Sequence, residues 1–467
     1  MILETANAAV EVAREGDELT LDEALLVAVK LHRAGHLDEA ETLYGRILAI
    51  APEQADALHY LGVLAHQRGR GEAAVALIRQ AIALDPGMPD ACNNLGNVLL
   101  EQERADEAIT AYRQAIALRP GFAGAYNNLG AVLRTQARYA EAATAYEKAI
   151  ELDPLHVDAY NNMGNLLASQ QRVKEAVACY CKAITLTPAH PEANRMLGIA
   201  YTTLGQYAEA AQVFARWLAL EPENPVARHL HAACSGQDRP ERASDAYVET
   251  TFDGFADSFD AKLGKLAYRA PQLVAQALEK LAGAPARQFA ALDAGCGTGL
   301  CGPLIAPWVA QLTGVDLSAG MLVHAQGRGV YDNLQKAELT AFLQTSAGCF
   351  DLIVSADTLC YFGPLDALLR AAHGALRAAG ALIFTVEAAA AGVPAHHLNP
   401  HGRYSHSQAY VLEALCAAGF APPQVLSTSL RNEGGEPVAG LVVTALKRSS
   451  HQARQAPRQV VRVEQRE

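Results

Sequence analysis

Aromatic side chains are scarce in this sequence, only 6% of 467 residues, whereas half of the residues are apolar and alanine is abundant. Cores closed mainly by small side chains favour closely packed helices, and a chain of this length has room for two or three domains. Positive charge is in short supply as well. The net charge of −12 argues against a general binder of nucleic acid or of anionic membranes. No apolar run approaches the ~18 residues of a membrane span, and the first residues show no basic stretch followed by an apolar one. A soluble, cytoplasmic protein is therefore expected. The nine cysteines form no framework: Cys179 and Cys181, the one close pair, lie two apart in a helical pattern and point to different faces. They read as reduced, small apolar residues. Histidines and carboxylates lack the spacing of a metal site, so none is expected.

What the sequence does have is a repeat of 34 residues. The block 123–156 carries Tyr126, Leu129, Gly130, Ala142, Tyr146, Ala149 and Pro154, and one period earlier stand Cys92, Leu95, Gly96, Ala108, Tyr112, Ala115 and Pro120. Further copies carry Gly62, Ala74, Ala81 and Pro86, and Gly164, Ala176, Tyr180, Ala183 and Pro188. Looser copies start near Leu21 (Ala28, Ala40, Tyr44, Pro52) and at Pro191 (Leu197, Gly198, Ala210, Phe214, Pro222). Small residues at fixed positions let paired helices approach, and each proline follows a helix that it cannot continue. A helix pair cannot bury its apolar face alone, so neighbouring pairs stack into an all-α solenoid. The stretch 225–233 starts a first helix without a second and reads as a cap. Residues 21–234 are thus six repeats with a capping helix, after a helical lead-in over 1–20.

These copies resemble tetratricopeptide repeats. Asn94, Asn128 and Asn162 recur at one repeat position, with Asn97 and Asn165 one turn further along the same helix face. In that family, including the array of O-linked N-acetylglucosamine transferase, such asparagines line the concave face of a superhelix and hold an extended peptide. The resemblance therefore implies a protein or peptide partner at these five residues. A side-chain amide offers both donor and acceptor and can grip a peptide backbone without reading its sequence. The alternative is that the same amides serve helix starts and hydrogen bonds between repeats.

A different organisation follows. The polar stretch 235–246 reads as a linker. An apolar run ending at Leu292 then leads into Asp293-Ala294-Gly295-Cys296-Gly297-Thr298-Gly299-Leu300-Cys301-Gly302, with three glycines at every second position where a strand turns into a helix. Such a loop takes unusual dihedrals and lets a ligand approach the chain itself. Two readings compete for it. Residues 297–302 satisfy the dinucleotide pattern G-x-G-x-x-G, whereas Asp293-x-Gly295-x-Gly297-x-Gly299 resembles the first motif of class I S-adenosylmethionine-dependent methyltransferases. Asp316, ending the next strand, suits a ribose hydroxyl in either.

The rest of the domain, residues 247–447, favours the methyltransferase resemblance. Phe252-Asp253-Gly254-Phe255-Ala256-Asp257-Ser258-Phe259-Asp260 and Tyr268-Arg269-Ala270-Pro271 are similar to a segment that precedes the loop in a methyltransferase group fused behind tetratricopeptide arrays. By resemblance, Tyr268 and Arg269 approach the amino-acid end of the cofactor, and a guanidinium can pair bidentately with its carboxylate. Phe252, Phe255 and Phe259 have helical spacing and read as packing. Asp316-Leu317-Ser318-Ala319-Gly320-Met321-Leu322 resembles the motif after strand two, placing Asp316, Leu317 and Met321 at the cofactor. Glu338 falls where the family puts an acidic residue near the adenine. Alternating strand and helix signals, closed by strands over 424–430 and 440–446 with a turn over 431–437, imply an α/β Rossmann-like domain with a mostly parallel, seven-stranded sheet.

Methyl transfer to a neutral oxygen or nitrogen needs a base. Among His396, His397, His401, Tyr404 and His406, the stretch 402–406 is most similar to the family. The expectation is His406 as base, Tyr404 shaping the pocket, and Asp357 or Tyr361 flanking it. Asp357-Thr358-Leu359-Cys360-Tyr361 stands where amide methyltransferases carry Asn-Pro-Pro-Tyr, so the acceptor atom is left open. The arginine-rich tail, 448–467, is expected to be disordered. Taken together, the resemblance implies a methyltransferase whose repeats bind a protein or peptide partner or substrate. The alternatives are an enzyme tethered by its repeats and acting on a small molecule or a quinol-like compound, and a cofactor-binding adaptor without catalysis.

Overall fold

Glycines in one helix lying under tyrosines of the next fix the packing of the N-terminal half. Gly96, Gly130 and Gly164 sit so near the rings of Tyr112, Tyr146 and Tyr180 that a Cβ would stand 2.5, 2.7 and 2.5 Å from them. Ala40, Ala74, Ala108, Ala142, Ala176 and Ala210 are fully buried on the second helices. The computed structural model describes residues 19–448 apart from 394 and 434. In it each of the six copies forms two helices, from Leu21–Arg33 and Leu37–Ile50 through Pro191–Thr203 and Tyr207–Leu220, followed by the helix Pro225–Ser235.

Local chemistry explains the helix ends. Thr20 opens the first helix with a capping box: its hydroxyl accepts from Glu23 N, and the Glu23 carboxylate accepts from Thr20 N at 2.9 Å. The turn after each first helix needs one left-handed residue, and Gly35, Gly69, Glu103, Ala137, Gln171 and Gly205 fill that place in succession. Apart from Leu19 and Thr20, the lead-in over 1–20 lies outside the described residues. The tail beyond Arg448 does too. No helix among the described residues is long and apolar enough to cross a membrane.

The chain divides into two compact units after Ala200, inside the helix Pro191–Thr203. The helices Tyr207–Leu220 and Pro225–Ser235 thus belong with the second unit. Residues 235–246, expected as a linker, are fastened within that unit. Gly363 N donates to Glu241 O and Ala243 N to Tyr361 O, both at 2.8 Å, and Tyr404 OH donates to Pro240 O.

The second unit is built on strands β1 (Phe289–Ala294), β2 (Val309–Asp316), β3 (Asn333–Lys336), β4 (Phe350–Ser355), β5 (Leu376–Ala388), β6 (His396–Leu398), β7 (Tyr404–His406), β8 (Gln424–Glu433) and β9 (Glu436–Leu446). Seven of them run in the order β3-β2-β1-β4-β5-β9-β8, parallel except for β9, which is antiparallel to β5 and β8. This is the mostly parallel Rossmann-like sheet expected. The short hairpin β6–β7 adds two strands, β7 running parallel to the end of β5. Successive residues point to opposite faces. Leu292, Ile353 and Phe384 join one core with Leu369 and Leu415, while Ala291, Leu352 and Ile383 join another with Val274 and Leu278. Helices therefore cover both faces, and the strand ends are left to carry chemistry.

The turn expected over 431–437 is shorter than that. Arg431, Asn432 and Glu433 continue β8, after a register shift between Ser429 and Arg431. The shift has a physical partner: Arg431 is turned into the interior, where only 2% of it is exposed.

Candidate active site

The carboxyl ends of β1, β2 and β4 open onto a cavity of about 310 Å³. Its floor is the glycine loop. Gly295, Gly297 and Gly299 all have positive φ, at 73°, 53° and 81°, but they meet different surroundings. A Cβ on Gly295 would strike the Thr358 side chain, and one on Gly299 would lie 2.9 Å from Tyr331. Gly297 lies on the cavity wall, and a Cβ there meets no atom within 4 Å. Two glycines thus serve packing, and Gly297 leaves open space.

Two strand-end carboxylates flank the loop. Asp293 is buried, accepts from Tyr331 OH at 2.6 Å, and is pushed up to about 7 by burial, against the tyrosine bond that lowers it. Asp316 accepts from Gly297 N and Ser318 N, both at 2.9 Å. Burial raises its pKa against those two backbone bonds. Glu338 caps the helix Leu339–Thr345, accepting from Thr340 N at 3.0 Å and Ala341 N at 2.8 Å. Tyr268, Leu317, Met321 and Glu338 all lie on the wall with Asp293 and Asp316.

Arg269 does not. It is exposed, off the wall, and donates its backbone N–H to Leu430 O at 2.9 Å while starting the helix Ala270–Ala282. The bidentate carboxylate contact expected of it has no geometric support here. Of the residues expected to catalyse, Asp357 lines the cavity, and so does the flanking Tyr361. His406 and Tyr404 lie outside it. His406 is fully buried with Nε2 2.9 Å from Gly363 O, and burial lowers it to about 4. It fastens β7 to the segment after β4, and the geometry gives it no place on the cavity wall. Tyr404 is buried against Ala233 and Leu398.

A charge network on the same wall was not legible in the motifs. Arg431 donates Nη1 to Asp357 Oδ2 and Nε to Glu433 Oε1, both at 2.7 Å, and also pairs with Glu387. Arg403 donates Nε to Glu387 Oε1 at 2.7 Å and pairs with Glu433 as well. Burial pushes the Glu433 carboxyl up, but Arg403 and Arg431 outweigh it and hold the group at about 2. Asp357, Cys360 and Glu387 could in principle surround a cation. The Arg431 guanidinium already supplies that charge, bonded to both carboxylates. The aromatic residues read as packing, Phe252, Phe255 and Phe259, are half-buried on the cavity wall.

The asparagines of the first unit bind each other. Asn128 Nδ2 lies 3.1 Å from both Asn93 Oδ1 and Asn97 Oδ1, and Asn162 Nδ2 donates to Asn127 Oδ1 at 3.0 Å. Asn94 Nδ2 lies 3.0 Å from His59 Nε2. Tyr112 and Tyr180 donate to Asn97 and Asn165 at 2.8 and 2.9 Å. The bonds between repeats, the alternative reading, are thus made, and they use amide hydrogens that a peptide would compete for. Where Ala131 stands in place of these asparagines, the Tyr146 hydroxyl lacks the amide acceptor that Tyr112 and Tyr180 have. Asn97→Ala removes the acceptor of the Tyr112 hydroxyl and one of the two acceptors of Asn128 Nδ2. It should cost about 1–2 kcal/mol, the unsatisfied hydroxyl outweighing alanine's better helix propensity. Faster hydrogen exchange in the helices 89–118 is the measurement; unchanged exchange would show that the bonds contribute nothing.

Comparison with known proteins agrees with both halves. The family model of the methyltransferase domain matches residues 292–384, and that of the tetratricopeptide repeat matches 31–89, 93–157, 132–191 and 161–225. Methyltransferase-like protein 27 of Homo sapiens is 38% identical over 105 residues, covering 22% of this chain and 43% of that protein. The chain thus matches less than half the length of this relative. Similar solved structures include MamA, 28% identical over 34% of this chain and 94% of that one, with a TM-score of 0.32. PilF of Pseudomonas aeruginosa is 21% identical over 49% of this chain and 99% of that one, with a TM-score of 0.41. The chain is a fusion of tetratricopeptide repeats with a domain of the methyltransferase family.

Proposed function

We propose that the second unit transfers methyl groups from S-adenosylmethionine and that the repeats bind a protein or peptide partner. The observation that carries the cofactor reading is Gly297, left-handed and open on the cavity wall between two strand-end carboxylates. The residues around it fit the group. Asp316 keeps lone pairs beyond its two backbone bonds, enough for ribose hydroxyls. Leu317, Met321 and Leu339 offer apolar surface to a base, with Glu338 held beside them by its capping bonds. Asp293 and Tyr268 suit an amino-acid end. When bound, the cofactor supplies a methyl group already activated on a sulfonium. The chain's own task is to hold an acceptor in line and exclude water. For the proton, Asp357 is the acceptor among the catalytic candidates that lies on the wall. Burial raises its pKa against the pull of Arg431, which favours proton uptake. Both cavity cysteines, Cys296 and Cys301, have thiols pushed up by burial, which makes them poor nucleophiles.

A small acceptor is favoured over a protein side chain by one observation. Phe252, Phe255, Phe259 and Leu263 give the cavity an apolar side. In that reading the repeats tether the enzyme rather than present its substrate.

Calorimetric titration with S-adenosylmethionine, S-adenosylhomocysteine and NAD tests the cofactor. Binding of both sulfur compounds and not of NAD is expected; binding of NAD, or of none, removes the reading. The pH dependence has a definite sign. Asp293, held up at about 7, is half-protonated near neutrality, and an α-ammonium favours its ionised form. Affinity for S-adenosylhomocysteine should rise from about pH 6 to about pH 8. An Asp293→Asn variant should lose that slope.

A further inference from the structure

The helix Pro225–Ser235, which ends the repeats, packs on the turn 399–403. His229 is buried, stacks on Tyr247 with ring centroids 4.0 Å apart, and has Nε2 2.8 Å from Gly402 O. Burial lowers its pKa, so a neutral ring donates that bond. The fit is close: a Cβ on Gly402, whose φ is +88°, would stand 3.0 Å from Tyr247 OH and 3.2 Å from Leu230 Cδ2. Cys234 Sγ donates to Pro400 O at 3.5 Å. From the other side, Asn399 holds the turn by donating its N–H at 2.9 Å and its side-chain amide at 3.0 Å to Arg403 O. The next side chain is Arg403, on the cavity wall, paired with Glu387 and Glu433, the same carboxylates that bind Arg431.

We propose that His229 is a positioning residue for this cavity, seating Gly402 so that Arg403 closes the two-arginine network on its wall. The capping helix of the repeats is then part of the site's support, and ligand binding and the seating of that helix are linked. Linkage is reciprocal: what orders the wall orders the helix by the same factor. The chain of contacts is short, from His229 through Gly402 and Arg403 to Glu387, Glu433, Arg431 and Asp357. The ligand arm of the test rests on the cofactor reading above, and the other arm does not.

The test is a double-mutant cycle of His229→Ala and Arg403→Ala in the full chain, followed by urea unfolding. Both native tryptophans, Trp217 and Trp308, lie in the second unit and report on it. The expected result is strong non-additivity: the double variant's midpoint falls no further than that of Arg403→Ala alone. His229→Gln, whose amide can donate to Gly402 O, should restore most of the loss. On the unmodified protein, hydrogen exchange at 228–235 should slow when S-adenosylhomocysteine is added. Additive midpoints overturn the proposal, as does unchanged exchange while calorimetry shows the compound bound. If wild-type protein gives no binding heat, the cofactor reading fails instead, and the cycle alone decides. If the alanine variant of His229 does not fold, the glutamine variant and the exchange measurement still do.

Discussion

An Arg431→Met variant is expected to lose about 3–5 kcal/mol of stability in the second unit, a large share of the ~5–15 kcal/mol typical of a folded domain. Methionine keeps the length and apolar body of the side chain, so packing changes little. What is lost is the cation among Asp357, Glu387 and Glu433, at a place where Arg431 is 2% exposed. Arg403 remains and reaches two of the three. The cost is the penalty of buried carboxylates left unpaired, not the net value of the pairs, which a well-packed apolar replacement could match. Glu387→Gln added to Arg431→Met should therefore recover part of the loss.

The pH dependence separates this mechanism from a packing defect. In the wild type, Glu433 is held at about 2, below its ordinary value of 4.5, so its contribution is full above 4.5 and is lost as pH falls through 2. In the variant, burial acts on the carboxylates without Arg431, and their folded values rise above the unfolded ones. Stability then falls as pH rises through the carboxylate range. The gap between wild type and variant should be widest near neutrality and narrow in acid. Urea unfolding followed by tryptophan fluorescence at about pH 7 and about pH 4.5 measures both. A gap that stays constant assigns the loss to packing.

The repeats were legible because each copy solves one packing problem with the same residues. Gly130 under Tyr146 is the same contact as Gly96 under Tyr112, so one period identifies them all. The glycine loop was legible for a related reason, since left-handed turns at strand ends have few solutions. The charge network was not. Arg431 and Glu433 share β8, but Asp357, Glu387 and Arg403 come from other strands and loops, and no sequence motif joins them. A polar stretch with two glycines and a proline over 431–437 reads as a turn, and no local pattern shows that Arg431 will be drawn inward by carboxylates far away in sequence. The Tyr331 bond to Asp293 has the same non-local character. His406 shows the opposite case: a histidine near other histidines suggests chemistry, and in the fold its Nε2 lies 2.9 Å from Gly363 O, off the cavity wall. Arg269 follows a plausible motif but starts a helix with its side chain exposed. The asparagine positions were legible as a ladder, but only coordinates distinguish a ladder that faces a ligand from one that ties repeats together.

Two alanine substitutions in one loop should fail in opposite ways. Gly295 and Gly297 share positive φ, so an alanine at either costs about 1–2 kcal/mol in backbone strain. At Gly295 the new methyl also meets Thr358, whose hydroxyl donates to Gly295 O at 3.1 Å, and overpacking adds about 1–3 kcal/mol. Gly295→Ala should therefore destabilise the second unit by about 3 kcal/mol or more and lose ligand binding along with its fold. At Gly297 nothing lies within 4 Å of the methyl, and its N–H still bonds Asp316. Gly297→Ala should fold with the strain penalty alone. Its effect falls on the ligand, because the bare backbone is what permits close approach. Affinity for S-adenosylhomocysteine should drop about tenfold or more, equivalent to ~1.4 kcal/mol or more of binding free energy. Unfolding midpoints and calorimetry on the two variants separate stability from binding. If Gly297→Ala binds as well as wild type, the ligand does not pass over that residue, and the cofactor must be sought elsewhere on the wall. If it is as unstable as Gly295→Ala, the openness at Gly297 is not a site at all but slack that the folded loop requires.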